Sequence, residues 1–307
     1  MSYLSTAGVA TFNKVDLDLE ITDILNAAPL LNVLAARTCR SNVFYYTKST
    51  AAPAAGFRAA NDGVTQTPTT REKVTVTLGI MDASFAVDIA VAQSDERGYQ
   101  HTLGAEALAA LTQAMFAVEQ QVIYGTDNDA AGFAGFADNT GLDATADSQV
   151  ISAGGESVGG CSSVFAIKEG PLDCEVMWGQ EGVIGVGELQ IVERAGSATG
   201  LFPAYYHPIC AWAGLKIGSV YSVARLANLD ATTGHTLDDD GISDLLSLFP
   251  VGREPSYLVM SRRSRKQLQQ SRTATNATGA PAPIPTESFN VPIVATDAML
   301  NTENPLS

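Results

Sequence analysis

Residues able to do chemistry are few and scattered along this chain. His101, His207 and His235 lie far apart, at an expected helix start, a strand end and a polar loop. A nucleophilic triad needs a nucleophile, a base and an orienter, nothing nominates them here, and no Gly-x-Ser-x-Gly turn occurs. Asp238-Asp239-Asp240-Gly241 carries acids enough to attract calcium. The alternating ligand spacing of a calcium loop and its closing Glu are missing. Acids before an apolar run are explained more simply by a helix N-terminus, whose partial positive charge they stabilise. Asp127-Asn128-Asp129 fails for the same reason and reads as a solvated turn. Gly182, Gly185 and Gly187 have the look of a nucleotide loop, but no helix follows and no Walker-type lysine exists, so they read as strand turns. Cys39, Cys161, Cys174 and Cys210 form no C-x-x-C pair and have no histidine at ligand spacing. They read as reduced, semi-buried thiols of a cytosolic chain. No residue is assigned a catalytic, cofactor-binding or metal-binding role, and no cofactor is expected.

One basic cluster remains. Arg262, Arg263, Arg265, Lys266 and Arg272 sit within eleven positions and hold five of the chain's 18 basic residues. A basic helix can meet phosphate. The plainer reading is a solvated face pairing with acidic neighbours, and salt bridges between subunits are a third. Overall the chain is acidic, with 33 acidic residues against 18 basic and a formal net charge of −15. That balance speaks against a protein that grips nucleic acid by its phosphates, though not against one that encloses it. Of the 307 residues, 46% are hydrophobic and only 17% charged, which allows a large core and leaves much of the surface uncharged. Such a surface suits burial against neighbours; a face rich in Ser, Thr and Asn is the plainer explanation. Met1 is followed by neither a basic n-region nor a long apolar run, so neither a secretory signal nor a membrane span is expected.

The elements that must position these residues follow from periodicity. Leu19, Ile21, Ile24, Leu25, Leu31 and Leu34 give a short helical pattern broken at Pro29, as in an arm packing on something else. VFYYT (43–47) and KVTVTL (73–78) alternate as strands. The segment between them exceeds twenty residues and is rich in Ala, Gly, Thr and Pro, which predicts an extended hairpin whose tip has a job. FAVDIAV (85–91) reads as a further strand. His101–Tyr124 is the strongest helix: Leu103, Ala107, Leu111, Ala114, Met115, Val118 and Val122 keep to one stripe, and Gly125 stops it. No clear periodicity runs through 126–160. Short apolar runs from 163 to 227 predict a β-rich stretch. Asp238-Asp239-Asp240 caps a helix through ISDLLSLF, Tyr257–Met260 is a strand, Arg262–Arg272 a basic helix, and Ile293–Ala295 a closing strand. The class is α+β with more strand than helix.

This order (arm, long hairpin, strand, one long helix, β-rich body, acidic-start helix, strand–helix–loop–strand) resembles tailed-phage major capsid proteins of the Hong Kong 97-like fold. SSVFAIKEGPLDCEVMWGQEG (162–182) and the run Trp212–Asn228 resemble phrases that recur in one branch of podovirus and siphovirus capsid proteins. The resemblance implies an N-terminal arm at 1–42, an extended β-hairpin loop at 43–84, and a peripheral domain at 85–160 with a spine helix at 101–124. It further implies a β-rich body at 161–230, an axial domain at 231–290 and a closing strand and C-terminus at 291–307. The function it implies is a non-enzymatic major capsid protein, assembled in the host cytoplasm and located in the virion. Its first partner would be itself, in hexamers and pentamers. Scaffolding, portal and cement proteins are further candidates, the packaged double-stranded DNA would be bound without sequence specificity, and no membrane is involved. Some relatives cross-link a loop lysine to a neighbour. Lys48 and Lys73 flank the loop here, but that chemistry is not carried over. Two alternatives stand beside this reading: an encapsulin-like nanocompartment shell, and a secreted β-rich hydrolase or binding module.

Overall fold

The computed structural model describes residues 3–4, 28–51, 53–63, 65, 67–139, 141–195, 200–276 and 280–307. The chain opens with strand β1 (Tyr3–Leu4), helix α1 (Pro29–Val33), β2 (Ala35–Thr38), β3 (Val43–Ala51), β4 (Thr70–Thr77), β5 (Gly79–Asp82) and β6 (Phe85–Asp88). Helix α2 (Ile89–Gln93) leads into the long α3 (Tyr99–Tyr124). Then come β7 (Val150–Ser152), β8 (Ser162–Ile167), β9 (Cys174–Trp178), β10 (Ile184–Val186), β11 (Gln190–Ala195), β12 (Leu201–His207), β13 (Ile209–Ile217) and β14 (Val223–Leu229). The chain closes through α4 (Asp239–Ser247), β15 (Tyr257–Met260), α5 (Arg262–Ala274), β16 (Glu287–Ser288) and β17 (Val291–Ala295). The fold class is α+β, as expected.

Strand β8 is buried along its whole length. It lies between antiparallel β14 and β15 in a mixed sheet ordered β16-β17-β15-β8-β14-β7. Alternate side chains of a strand point to opposite faces. Phe165 and Ile167 therefore enter one core with Val118, Val122 and Ile123 of α3, while Val164 and Ala166 enter another with Ile242 and Leu245 of α4 and Leu268 of α5. A strand apolar at every position is what burial on both faces requires. A second sheet runs β1-β10-β13-β9-β2, with β5 also on β13, and a third runs β11-β12-β6. Strands from 161–230 thus enter all three sheets. Among the described residues, strands β3 and β4 pair only with each other.

Every residue of the expected stripe on α3 is at most 7% exposed. At about 1.5 Å per residue its 26 residues span about 39 Å. It ends at Gly125, where φ is +60° and a Cβ would stand 2.2 Å from the Asp138 carboxylate, so only glycine fits. Asp138 holds the turn by accepting from the Thr126 N–H (2.7 Å), the Thr126 hydroxyl (2.6 Å) and the Gly135 N–H (2.6 Å).

Two expected boundaries shift. The strand through 85–91 ends at Asp88, whose side chain accepts from the Ala90 N–H at 2.8 Å and starts α2; capping outweighs the β-branched Ile89 and Val91. Pro29 opens α1 at its first turn, where the missing N–H costs nothing, and Leu30 is fully buried. The pattern over Leu19, Ile21, Ile24 and Leu25 lies outside the described residues.

Leu111 is 3% exposed in a cluster with Ala83, Met115 and Ile209. Leu111→Asp places an unpaired charge there and costs at least about 3 kcal/mol, whereas Leu111→Met costs under about 1.5 kcal/mol. The first should yield insoluble protein and the second a soluble subunit, as read from the soluble fraction and the melting temperature. A soluble, normally melting Leu111→Asp subunit would show that the stripe faces no core.

Candidate assembly surfaces

Most polar groups singled out in the sequence are engaged in holding the subunit together. Asp238 caps α4 by accepting from the Gly241 N–H at 2.8 Å. Asp239 takes a two-pronged bond from Arg272 of α5 (2.7 and 2.6 Å) and accepts from the Ser288 hydroxyl at 2.8 Å. Arg272 first, then Ser288, holds the Asp239 carboxyl below its ordinary range. The acidic cluster is therefore a cap and a tie between α4, α5 and β16. In the basic cluster, Arg262 pairs with Asp297 at 2.6 Å. Arg263 donates to the carbonyls of Gly160 (2.9 Å), Asn301 (3.2 Å) and Leu229 (3.3 Å). Arg265 is half-buried and Lys266 exposed.

The histidines stand on separate elements. His101 lies 2.9 Å from Asp95, whose pKa is drawn down to about 2 by the Arg97 N–H and then by His101 and Thr102. His207 stacks on Phe85, ring centres 5.7 Å apart, and burial lowers its pKa. His235 lies 3.7 Å from Asp230, which accepts from the Ser157 hydroxyl at 2.9 Å. The Asp127–Asp129 turn is tied to α3 by Gln121, whose amide donates to the carbonyls of Asp129 (3.0 Å) and Phe133 (2.8 Å). Gly182 turns the chain at φ +77° into β10, so that glycine run leads into a strand. Cys161 and Cys174 are buried, Cys39 is half-buried and Cys210 exposed; all four are free thiols.

Sequence reasoning missed the buried polar and ionic ties. Glu119, fully buried on α3, accepts from the N–H groups of Leu30 (3.0 Å) and Leu31 (3.4 Å) and from the Thr296 hydroxyl. It joins the spine to α1 and to the segment after β17. Its phase was the available signal, since it falls four residues after Met115 and three before Val122. Arg225 of β14 donates to Ser163 (3.0 Å), the Leu142 carbonyl (3.1 Å) and Glu303 (3.2 Å), and Glu303 also accepts from the Tyr124 hydroxyl at 2.8 Å. Lys216 pairs with Glu175 at 3.1 Å. These partners are 41 to 179 residues apart in sequence.

Two hairpins escape this network. The β3–β4 ribbon is exposed over most of its length. Its base is anchored by the Tyr46 hydroxyl on the Ile217 carbonyl at 2.6 Å, and Lys73 lies over the Tyr45 ring at 3.9 Å. In the tip, the Asp62 N–H donates to the Ala59 carbonyl (3.2 Å), the Arg58 guanidinium donates to the Asp62 carbonyl (3.1 Å), and Phe57 is fully exposed. The β11–β12 hairpin meets β6 through Ala204–His207. Ile191, opposite Tyr205, and Leu201, beyond that segment, are each 68% exposed. A two-stranded ribbon is marginal alone in water, and exposed strand edges invite pairing. Among the described residues no helix is long and apolar enough to cross a membrane.

The sequence profile of the major capsid protein GP7 family matches residues 20–307 of this chain. No curated protein matches. Among solved structures, a chain of bacteriophage Epsilon15 aligns with a TM-score of 0.63 at 19% identity, covering 90% of this chain and 88% of that one. The bacteriophage JBD30 capsid aligns with a TM-score of 0.52 at 11% identity, covering 94% and 98%. The encapsulin of Synechococcus elongatus aligns with a TM-score of 0.47 at 8% identity, covering 77% and 99%.

Burial raises the pKa of Glu119 against the lowering effect of its three donors. A carboxyl with a raised native pKa binds protons more tightly folded than unfolded, so its contribution to stability grows as pH falls and is lost as pH rises through the native value. Glu119→Gln removes that titration. The wild-type minus variant difference in unfolding free energy should therefore increase as pH drops from neutrality into the range just above an ordinary glutamate. A difference that is flat, or that shrinks on acidification, would show that the three donors outweigh burial.

Proposed function

The chain belongs to the major capsid protein GP7 family, and from that premise we propose how it builds a shell. It is a capsid protein of a tailed phage, with the Hong Kong 97-like fold, and its place is the virion capsid. Its role is structural. The reading that goes further is that subunits form hexamers and pentamers, that intersubunit contacts stand where an active site would, and that none of its residues is catalytic or metal-binding. The observation that carries it is the pair of projecting ribbons on a subunit whose polar groups are otherwise largely internally engaged. A surface prepared for copies of itself accounts for both.

In this proposal the N-terminal arm and the β3–β4 ribbon reach neighbours. The peripheral part is built on α3, and the axial part on α4, α5 and the sheet they cover. The family match favours a phage shell over a nanocompartment, and both over a secreted hydrolase. Scaffolding, portal and cement proteins are partners the shell would meet during assembly. The enclosed double-stranded DNA would touch the wall without sequence-specific contacts.

The test is assembly. Expressed in full length, with its scaffold if one is needed, the chain should form closed shells or capsomers by negative-stain microscopy. The segment 51–66 should be the first site of proteolysis in the free subunit and protected in the shell. A monodisperse monomer at every salt and concentration, with scaffold present, would sink the proposal.

A net charge of −15 also limits contact with DNA. Each phosphate neutralised adds about one unit to the slope of log affinity against log salt. Arg262, Arg263 and Arg272 already serve protein acceptors. The free subunit should therefore retain no duplex DNA near physiological salt in a filter-binding assay. Tight retention abolished by reversing Arg262, Arg263 and Arg265 to Glu would make this a nucleic-acid-binding protein instead.

A further inference from the structure

Resonance ties up the nitrogen of a peptide bond and makes it a poor nucleophile. Two conditions change that: a carboxyl held beside it, and a group that makes its proton easier to lose. Both meet at the tip of the β3–β4 ribbon. The Gly63 N–H donates to Oδ1 of Asp62, the residue before it, at 2.8 Å. That bond brings the Gly63 nitrogen up to the Asp62 carboxyl carbon, the atom it would attack to close a five-membered ring. Gly63 has no Cβ to obstruct the approach, and a Cβ placed there would meet nothing within 4 Å, so the ring has room to form.

The same peptide group is polarised. Arg58 Nη1 donates to the Asp62 carbonyl at 3.1 Å, and that carbonyl belongs to the amide whose nitrogen is Gly63. A guanidinium on the oxygen stabilises the negative charge left when the nitrogen gives up its proton. The turn itself keeps Arg58 in place: the Asp62 N–H donates to the Ala59 carbonyl at 3.2 Å, and Asn61 takes a φ of +66° within it. Asn61, Asp62 and Gly63 are exposed, so water reaches all three.

The chain contains one other Asp–Gly pair, Asp240–Gly241, and Asp240 is exposed as well. Neither dipeptide identity nor exposure tells the two apart. Hydrogen bonding does. Gly241 lies in the first turn of α4, and its N–H donates to Asp238 at 2.8 Å. In a helix the Cα–Cβ bond tilts toward the N-terminus, which carries the Asp240 carboxyl away from the nitrogen that follows it. Reaction there requires the helix to open first.

We propose that Asp62–Gly63 is a self-modification site, at which Asp62 converts to isoaspartate through a succinimide, with Arg58 as the activating group. The Asp62 carboxyl reacts in its protonated form. The bond from the Gly63 nitrogen to Cγ forms, the bond from Cγ to its hydroxyl breaks, and the hydroxyl leaves with the Gly63 proton as water. A second water then opens the ring. Attack at the side-chain carbonyl restores aspartate, and attack at the main-chain carbonyl gives isoaspartate. No oxidant, reductant or cofactor enters. The product routes the main chain through Cβ and Cγ, one methylene longer, and puts a free carboxylate where Arg58 now meets a carbonyl. A charged pair there favours the product. This inference goes beyond the shell reading and needs nothing from it.

The experiment holds the full chain, unassembled, in heavy-oxygen water at mildly acidic pH and physiological temperature, with samples taken over weeks. Electron-transfer fragmentation of its peptides distinguishes isoaspartate from aspartate. Isoaspartate carrying one heavy oxygen should accumulate at position 62 and at least about tenfold more slowly at position 240, where helix opening must come first. In the urea-unfolded chain the two rates should converge, with position 62 slower than in the folded subunit and position 240 faster. Arg58→Ala should slow position 62 several-fold in the folded subunit and leave its rate in urea unchanged. Absence of isoaspartate at position 62, equal rates at the two pairs in the folded subunit, or a rate at position 62 that does not fall in urea overturns the site. An Arg58→Ala subunit that reacts as fast as its parent overturns the role of Arg58.

Discussion

The subunit depends on one constraint: β8 is buried on both faces, so the chain must cover it twice. Helix α3 covers one face and α4 with α5 the other. Each layer needs an apolar stripe of its own, which accounts for Val118, Val122 and Ile123 on α3 and for Ile242, Leu245 and Leu268 opposite; Leu111, Ala114 and Met115 continue the α3 stripe into a separate cluster with Ala83 and Ile209. A strand so placed cannot slip by one residue without exchanging two different cores, Phe165 and Ile167 for Val164 and Ala166. The register of β14 and β15 against β8 follows from that. So does the position of everything hung on those strands.

The buried polar ties then fix what burial alone leaves loose. Hydrophobic contact is non-directional, so it brings α1 and the C-terminal segment to the core without setting their alignment. Glu119 supplies direction by accepting from two N–H groups of α1 and from Thr296. Arg225 and Glu303 do the same for the last residues of the chain, where Leu306 and Asn228 also exchange two backbone-to-amide bonds. A buried ion pair such as Arg225–Glu303 adds little net stability over an apolar replacement. What these ties give this subunit is one arrangement of α1 and the C-terminal segment against α3.

How much of this was legible in the sequence depended on the range of the interaction. The α3 stripe, the Gly125 stop, the Asp238 cap and the hairpin are local signals, each carried by residues within a few turns or one alternation, and the structure has all of them. The strand expected through 85–91 failed because Asp88 offered a cap that outweighs β-propensity. The sheets were not legible. Strands β8, β9 and β12 lie within fifty residues in sequence yet belong to three different sheets, a choice made by distant partners such as β15, β2 and β6. A cleft between β5 and α3 was hidden for the same reason, since Met81, Val118 and Phe133 become neighbours only once β5 packs on α3. The phrases resembling phage capsid proteins carried the function further than any single residue did.

The body and its ribbons are stabilised differently, and that difference links folding to assembly. Every layer of the body buries apolar area on forming. The β3–β4 ribbon pairs its own backbone but buries little, with Tyr45 54% exposed and Phe57 fully so. The entropy of ordering such a segment is of the order of 1–2 kcal/mol per residue, and a lone ribbon hardly offsets it. In the proposed shell a second copy would offset it, by covering the apolar and aromatic groups that the ribbon presents. On that proposal the core of the subunit is set by β8 within the chain, and its outline is set between chains. A packed body with ribbons ordered by contact would suit a closed shell, because identical cores that meet at slightly different angles need connections that adapt.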